Sequence, residues 1–477
     1  MNQGIVYINK YGRLRTGKTL ICYKELTKEP LSTMKRINLF DLYKEPVSEV
    51  LEGYTSTECT KSSSTDKLRL LSLFSGCGGM DIGFEGGFIC HKKSINPKSG
   101  WVDSRINKDW IKVKDTGIKT VFANDILTEA KESWISYMSE RGHSPNEYHL
   151  GSIVDLVKKH DKGEVIFPDN IDIVTGGFPC QDFSVAGKRK GFESLKDHNG
   201  RLRDDSLPTE ETRGKLYYWM KQVIDITKPK VFIAENVKGL VNLGDVKKII
   251  QQDFATADDN GYIVLDPQIL HAADYGVPES RERVIFIGIR KNALCQEALD
   301  ALSQEIIPNE YNPYPAKTHA FSQKGDSLLD PVVCGDVFNG MLEPDQSQDL
   351  THRFFSRAKY MGNHCQGQKE ISLEKIGPTI RSEHHGNIEF RRLSREHGGL
   401  NIEEIEKGLP ERRLTPRECA MIQTFPPDYN FVRFKEGSLS RFKVSSSGAY
   451  KVIGNAVPPV LAYNIAMRIK SLWSIYF

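Results

Sequence analysis

The sequence predicts a doubly wound α/β fold whose sheet is mostly parallel. Three observations carry this expectation. Short apolar runs of strand type recur at 68–74, 121–123, 172–174 and 231–234, each closed by a glycine turn or an acid. Segments with helical spacing lie between them, such as Leu216, Met220, Val223, Ile224 and Thr227 within 214–227. The alternation stops near residue 300 and resumes near 413, so a smaller irregular domain is expected to interrupt the sheet domain. The expected organisation is an extension over 1–66, a sheet domain over 67–299, the irregular domain over 300–412, and a returning segment over 413–477.

Composition narrows the class. The chain has 477 residues, 39% of them hydrophobic, which is enough for a sizeable core. A formal net charge of +3 neither requires nor excludes nucleic acid. Nine scattered cysteines without C-x-x-C or zinc-finger spacing suggest a reduced, cytoplasmic protein with no structural metal. No apolar run reaches the roughly 18 residues of a membrane span. The first ten residues lack an apolar signal core, and no internal repeat is present.

The elements follow in order. Ile5–Ile8 and Leu20–Tyr23 are candidate strands in the extension, and Thr55–Asp66 reads as a polar linker. Leu68–Phe74 is the first strand. Ser75-Gly76-Cys77-Gly78-Gly79 then makes a turn into a helix, either an ordinary tight turn or one that lets backbone approach a ligand. Cys90–Lys119 is polar and looks inserted. The next strand ends on Asp125, either a helix cap or an acceptor for ribose hydroxyls. Leu127–Met138 reads as a helix, and Gly151–Val154 as a strand-edge turn.

Asp172-Ile173-Val174 leads through Gly176-Gly177 to Phe178-Pro179-Cys180. A thiol on a rigid turn at a strand's carboxyl end is either a small buried residue or a nucleophile. Gly191–Glu211 reads as a charged loop. Val231–Ala234 closes on Glu235, a carboxyl group that is either paired with Arg or Lys or pushed to a raised pKa by burial. Ile263–Ala272 and Arg283–Ile289 read as further strands. Arg281 and Arg283 alternate before the second of these, so both point to one side. They form either a fork for phosphate or an ion-pair ladder with Glu279 and Glu282.

Beyond residue 300, the stretches Gly362–Gln368 and Gly377–Arg392 mix amides, histidines and arginines, side chains suited to base edges and phosphates. Thr415-Pro416-Arg417-Glu418 carries an N-cap, a first-position proline and a capping-box acid. Gly454-Asn455-Ala456-Val457-Pro458 precedes a last helix from Val460 to about Ile475.

At this point the chain resembles the DNA (cytosine-5) methyltransferases. Phe74–Gly79 looks like the family's cofactor turn, Gly177–Gln181 its nucleophile motif and Glu235-Asn236-Val237 its acid motif. Arg281-Glu282-Arg283 looks like its arginine motif, while Arg413–Cys419 and Gly454–Pro458 look like its closing motifs. Six motifs in order over about 68–470 are a specific signal. Asp125 stands where the family usually has Glu, Ser152 where it often has Asp, and Glu279 where it has Gln.

The resemblance implies S-adenosyl-L-methionine as cofactor and double-stranded DNA as substrate, with cytosine methylated at carbon 5. The implied catalytic residues are Cys180, Glu235, Arg281 and Arg283. The cofactor would lie against Phe74, Ser75, Gly76, Gly78, Gly79, Asp125, Ile126, Pro179, Leu216, Asn455, Ala456 and Val457. DNA contacts would come from Ser184, Gln366, Thr379, Ile380 and Arg381. A monomer with a cognate restriction endonuclease acting on the same site is the expected setting. An inactive DNA-binding relative, an RNA-directed methyltransferase and, more distantly, an α/β dehydrogenase are the alternatives.

Overall fold

The computed structural model describes residues 67–179, 216–242, 245–322, 327–382 and 388–477, with two short strands near the amino terminus. Those two, Tyr7–Ile8 and Leu14–Arg15, pair antiparallel. The main sheet holds β1 (Leu68–Leu73), β2 (Ile118–Asp125), β3 (Tyr148–Leu150), β4 (Ile173–Gly177), β5 (Val231–Val237), β6 (Tyr262–Val264), β7 (Gln268–His271) and β8 (Glu282–Arg290). Their order is β6-β8-β5-β4-β1-β2-β3, with β7 also on β8. The run from β5 to β3 is parallel, and β8 is antiparallel to its neighbours.

Helices cover both faces: α1 (Gly79–Glu85), α2 (Thr128–Met138), α3 (Ile153–Asp161), α4 (Leu216–Thr227), α5 (Val246–Ala255), α6 (Gln296–Leu302), α7 (Pro416–Ile422), α8 (Ser446–Asn455) and α9 (Pro459–Tyr476). Strand alternation sorts the core into two layers. Val231 and Ile233 join the core that contains α1 and α9, while Phe232 and Ala234 join the core under α4 and α5. Burial on both faces explains why the parallel strands are apolar without a polar partner face. Gly83 lets α1 lie directly on α9, since a Cβ there would stand 2.4 Å from Ala462 Cβ.

Three local expectations are corrected. Gly151–Val154 is not a strand edge: Ser152 Oγ accepts the Val154 amide at 3.3 Å and caps α3. Ile263–Ala272 is two strands, β6 and β7, because Pro267 offers no amide to the ladder. The inserted stretch folds as a three-stranded antiparallel sheet of Ile89–His91, Trp110–Val113 and Val102–Arg105. It ends sooner than expected, since β2 begins at Ile118.

Between α6 and α7 the described helices and strands are short: helices Cys334–Phe338, Leu350–Arg353 and Ile402–Glu406, and the antiparallel pair of strands Phe390–Arg392 and Arg412–Arg413. Buried ion pairs hold this part to the base of α7. Arg392 binds Glu343 and Glu404 at 2.6 Å each, and Arg412 binds Glu343 at 3.0 Å and Glu418 at 2.8 Å. The Thr415–Glu418 capping box forms as expected. Among the described residues no helix is long and apolar enough to cross a membrane.

Candidate active site

The turn after β1 is strained into place. Phe74, Gly76 and Gly78 all have positive φ, at 53°, 56° and 83°. Partners from distant segments hold it. Ser75 N–H donates to Asn124 O at 2.8 Å, Asp125 Oδ2 accepts the Gly76 amide at 3.1 Å, and the hydroxyls of Tyr148 and Tyr429 donate to the carbonyls of Gly76 and Cys77 at 3.0 and 2.8 Å. Gly79 starts α1 against the α8–α9 turn, where a Cβ would meet Val457 O at 2.3 Å. Gly79→Ala is therefore expected to destabilise the fold by about 1–3 kcal/mol, read as a lower Tm.

This packing brings together residues far apart in sequence. Asp125 ends β2 beside the turn, and its Oδ1 also accepts the Leu127 amide at 2.9 Å. Burial raises its pKa, opposed by those amides. Ile126 next to it is 44% exposed, unusual for so large an apolar side chain. Asn455 is exposed, while Ala456 and Val457 are buried against Gly79.

Sequence reasoning missed Asp81. Its buried carboxylate accepts from Ser72 Oγ at 2.6 Å and Trp134 Nε1 at 2.7 Å, and burial pushes its pKa up to about 6. It fixes Trp134, whose ring would meet a Cβ on Gly78 at 2.8 Å. An acid two residues past a glycine pair at a helix start was the available signal.

The second cluster sits where β4 and β5 end side by side. Gly177 pairs with Glu235, and a Cβ on Gly177 would lie 2.9 Å from Glu235 Oε2. Asn236 Nδ2 donates to Phe178 O at 3.2 Å, tying β5 to the chain just before Pro179. Pro179 is half-buried. Cys180 and Ser184 lie outside the described residues, as does the 191–211 stretch.

Glu235 is 7% exposed, and its Oε1 lies 2.6 Å from Arg283 Nε. Both readings of this acid hold. Burial raises its pKa, while Arg283 and Arg281 pull it down without cancelling the rise. Arg283 reaches it diagonally across the β5–β8 ladder.

Arg281 requires a correction. It is fully buried, so it offers no fork to a phosphate. Nη1 donates to Ile380 O at 3.0 Å, and Nη2 to Gly454 O at 3.0 Å and Ala456 O at 2.7 Å. Glu279, also buried, lies 3.4 Å from Nη1 and accepts the Ile380 amide at 2.7 Å. One half of the expected ladder therefore forms; Glu282 pairs with Lys238 at 2.8 Å instead. Arg281 joins three segments: the start of β8, the Thr379–Arg381 strip and the α8–α9 turn. Arg281→Ala leaves the buried Glu279 carboxyl without its charged partner and removes the Arg281 donor from three carbonyls. We expect a loss of about 3–5 kcal/mol in denaturant unfolding.

One further residue is corrected. Ile380 is 2% exposed, an apolar anchor under this strip, so its side chain is not a DNA contact. Leu216, at the start of α4, packs on the sheet at 4% exposure, as its helical spacing implies. Thr379 is partly exposed with its hydroxyl donating to Ser280 O, and Arg381 Nη1 donates to Gln366 Oε1 at 3.3 Å.

A parallel sheet closed by an antiparallel β8, with a glycine turn after its first strand and a Glu–Arg pair beside it, defines the methyltransferase form of the α/β fold. The chain belongs to the C-5 cytosine-specific DNA methylases, whose family profile matches residues 68–471, and so is a DNA (cytosine-5-)-methyltransferase. It is similar to the Type II methyltransferase M.BsuRI of Bacillus subtilis, 28% identical with 95% of this chain and 91% of that protein covered. It is also similar to the Type II methyltransferases M.BspRI of Lysinibacillus sphaericus, at 29% with 92% of each chain covered, and M.PspPI of Psychrobacter sp. (strain TA137), at 30% with 84% and 78% covered.

Proposed function

We propose that this chain methylates carbon 5 of a cytosine flipped out of duplex DNA, through a transient bond between Cys180 and carbon 6 of the base. The observation that supports this most is the buried, raised-pKa Glu235 beside Gly177. Cys180 follows Gly177 by three residues, a reach of at most about 10 Å.

Carbon 5 of cytosine is a weak nucleophile. Addition of the Cys180 thiolate to carbon 6 makes it enamine-like. In this reading Glu235 donates a proton to ring nitrogen 3, which neutralises the adduct. Arg283 holds Glu235 and directs its remaining donors to the carbonyl oxygen of the base. Once carbon 5 carries the methyl group, its proton passes to water and the nitrogen 3 proton returns to Glu235, so the 5,6 double bond re-forms and the thiolate leaves. A base inside the duplex cannot meet a side chain in this cleft, so flipping is required. Arg281 acts as a positioning residue.

The residues near the glycine turn fit S-adenosylmethionine, which when bound supplies an electrophilic methyl group. At Gly76 the turn leaves backbone open to close approach, with no atom within 4 Å of where a Cβ would stand, and the Asp125 carboxylate can accept ribose hydroxyls. Exposed Ile126 offers an apolar face for a purine, and Asn455 a polar rim above Ala456 and Val457. Pro179, which precedes Cys180 in the chain, is the further residue the resemblance sets against this group.

Residues 300–412 we assign to target recognition. We also read the chain as the modification partner of a restriction endonuclease, because the three relatives are described as Type II methyltransferases. Labelled methyl transfer to duplex DNA, with structured RNA as the comparison, tests the reading. Label in 5-methylcytosine from the duplex supports it; label only in RNA, or none, overturns it.

A further inference from the structure

We propose that the loop from Met361 to Gln366 reads the target by offering hydrogen-bond donors to guanine, an inference that rests on the duplex DNA reading above. The loop is rigid at its base. Buried Arg413 donates to the carbonyls of Ala358 and Lys359, at 3.3 Å each, and to that of Gly367, so it grips both ends. Its guanidinium also covers the Phe390 ring at 3.9 Å. Gln368, buried, accepts the Met361 amide at 2.8 Å.

The tip is open. Met361 is 64% exposed, and Asn363, His364 and Gln366 are exposed beside it. Arg357, Lys359 and Lys369 flank the loop as exposed cations of the kind that meet phosphates. The tip is tied toward the candidate active site through Gln366, which contacts Arg381. Arg381 follows Ile380, whose amide and carbonyl are held by Glu279 and Arg281 on the segment that carries Arg283.

The internal contacts settle which atoms face outward. A guanidinium only donates, so the Gln366 atom 3.3 Å from Arg381 is its oxygen and the NH2 group is turned away. The Tyr360 hydroxyl donates to Asn363 Oδ1 at 3.0 Å, and in this arrangement the NH2 group of Asn363 is also turned away. The loop therefore presents donors. In the major groove guanine offers two acceptors, N7 and O6, and thymine one beside its methyl group, whereas adenine pairs an acceptor with a donor and cytosine offers a donor. Two outward NH2 groups match the paired acceptors of guanine best.

The test begins by mapping methylated cytosines in a random duplex library. Each guanine of the mapped site, apart from the partner of the methylated cytosine, is then replaced by 7-deazaguanine, which lacks N7, and by hypoxanthine, which keeps N7 and O6. At one or more positions 7-deazaguanine is expected to lower kcat/KM by roughly 10- to 100-fold while hypoxanthine changes it by less than about twofold. Gln366→Ala or Asn363→Ala should erase that sensitivity at one position and leave KM for the cofactor unchanged. Methylation with no such sensitive guanine, or variants that retain it in full, overturns the inference alone. No methyl transfer to any duplex overturns the inference and the reading beneath it together.

Discussion

Cys180→Ser is expected to abolish methyl transfer while cofactor and DNA binding persist. A serine hydroxyl holds its proton far more tightly than a thiol and adds poorly to a pyrimidine ring. Without addition at carbon 6, carbon 5 stays too weakly nucleophilic to accept a methyl group. The substitution removes one sulfur and changes little volume, so the turn after Gly177 should keep its course. Single-turnover methylation, measured beside equilibrium binding of duplex and cofactor, checks both halves. A variant that turns over normally contradicts the covalent route. One that no longer binds either ligand shows that the residue shapes the site instead.

Glu235→Gln is expected to slow transfer by roughly 10²–10⁴, the usual scale for a positioned acid. The two side chains have nearly the same shape, and an amide can still face Arg283. What is lost is the transferable proton. Burial raises the Glu235 pKa, so the protonated form persists to higher pH than in an ordinary glutamic acid. A rate that depends on that proton should fall as pH rises through the raised pKa, and the Gln variant should lack that limb. A single-turnover pH profile reads both effects. An unchanged rate, or a Gln variant with the same alkaline limb, removes Glu235 from this role.

Much of the site was legible because its residues close apolar runs. The glycine turn, Asp125 and Gly177 each end a strand, Glu235 stands two residues before the end of β5, and a parallel sheet places such ends along one edge. Asn455–Val457 could be placed beside the turn only through resemblance, because their meeting with Gly79 depends on α9 packing along α1. What sequence misjudged rests on long-range contact. Arg281 and Arg283 do alternate, yet the burial of Arg281 is decided by carbonyls 99, 173 and 175 residues away. Ile380, one apolar residue in a polar stretch, looked like a reader and is an anchor for the same reason. Helix α8 escaped because its start, Ser446-Ser447-Gly448, reads as a loop, although Ser445 caps it by accepting the Gly448 amide at 3.2 Å. Asp81 is conspicuous only once Trp134 and Ser72 are seen to converge on it.

The most direct measurement is to trap the bond itself. A duplex carrying 5-fluorocytosine at the mapped target has no carbon 5 proton to lose, so addition and methyl transfer can occur but release cannot. Incubation with the cofactor, proteolysis and mass spectrometry should find a methylated fluorocytosine nucleotide attached to the peptide that contains Cys180, and a Cys180→Ser control should show none. A fully active enzyme that yields no adduct, or an adduct on a different residue, would contradict the account.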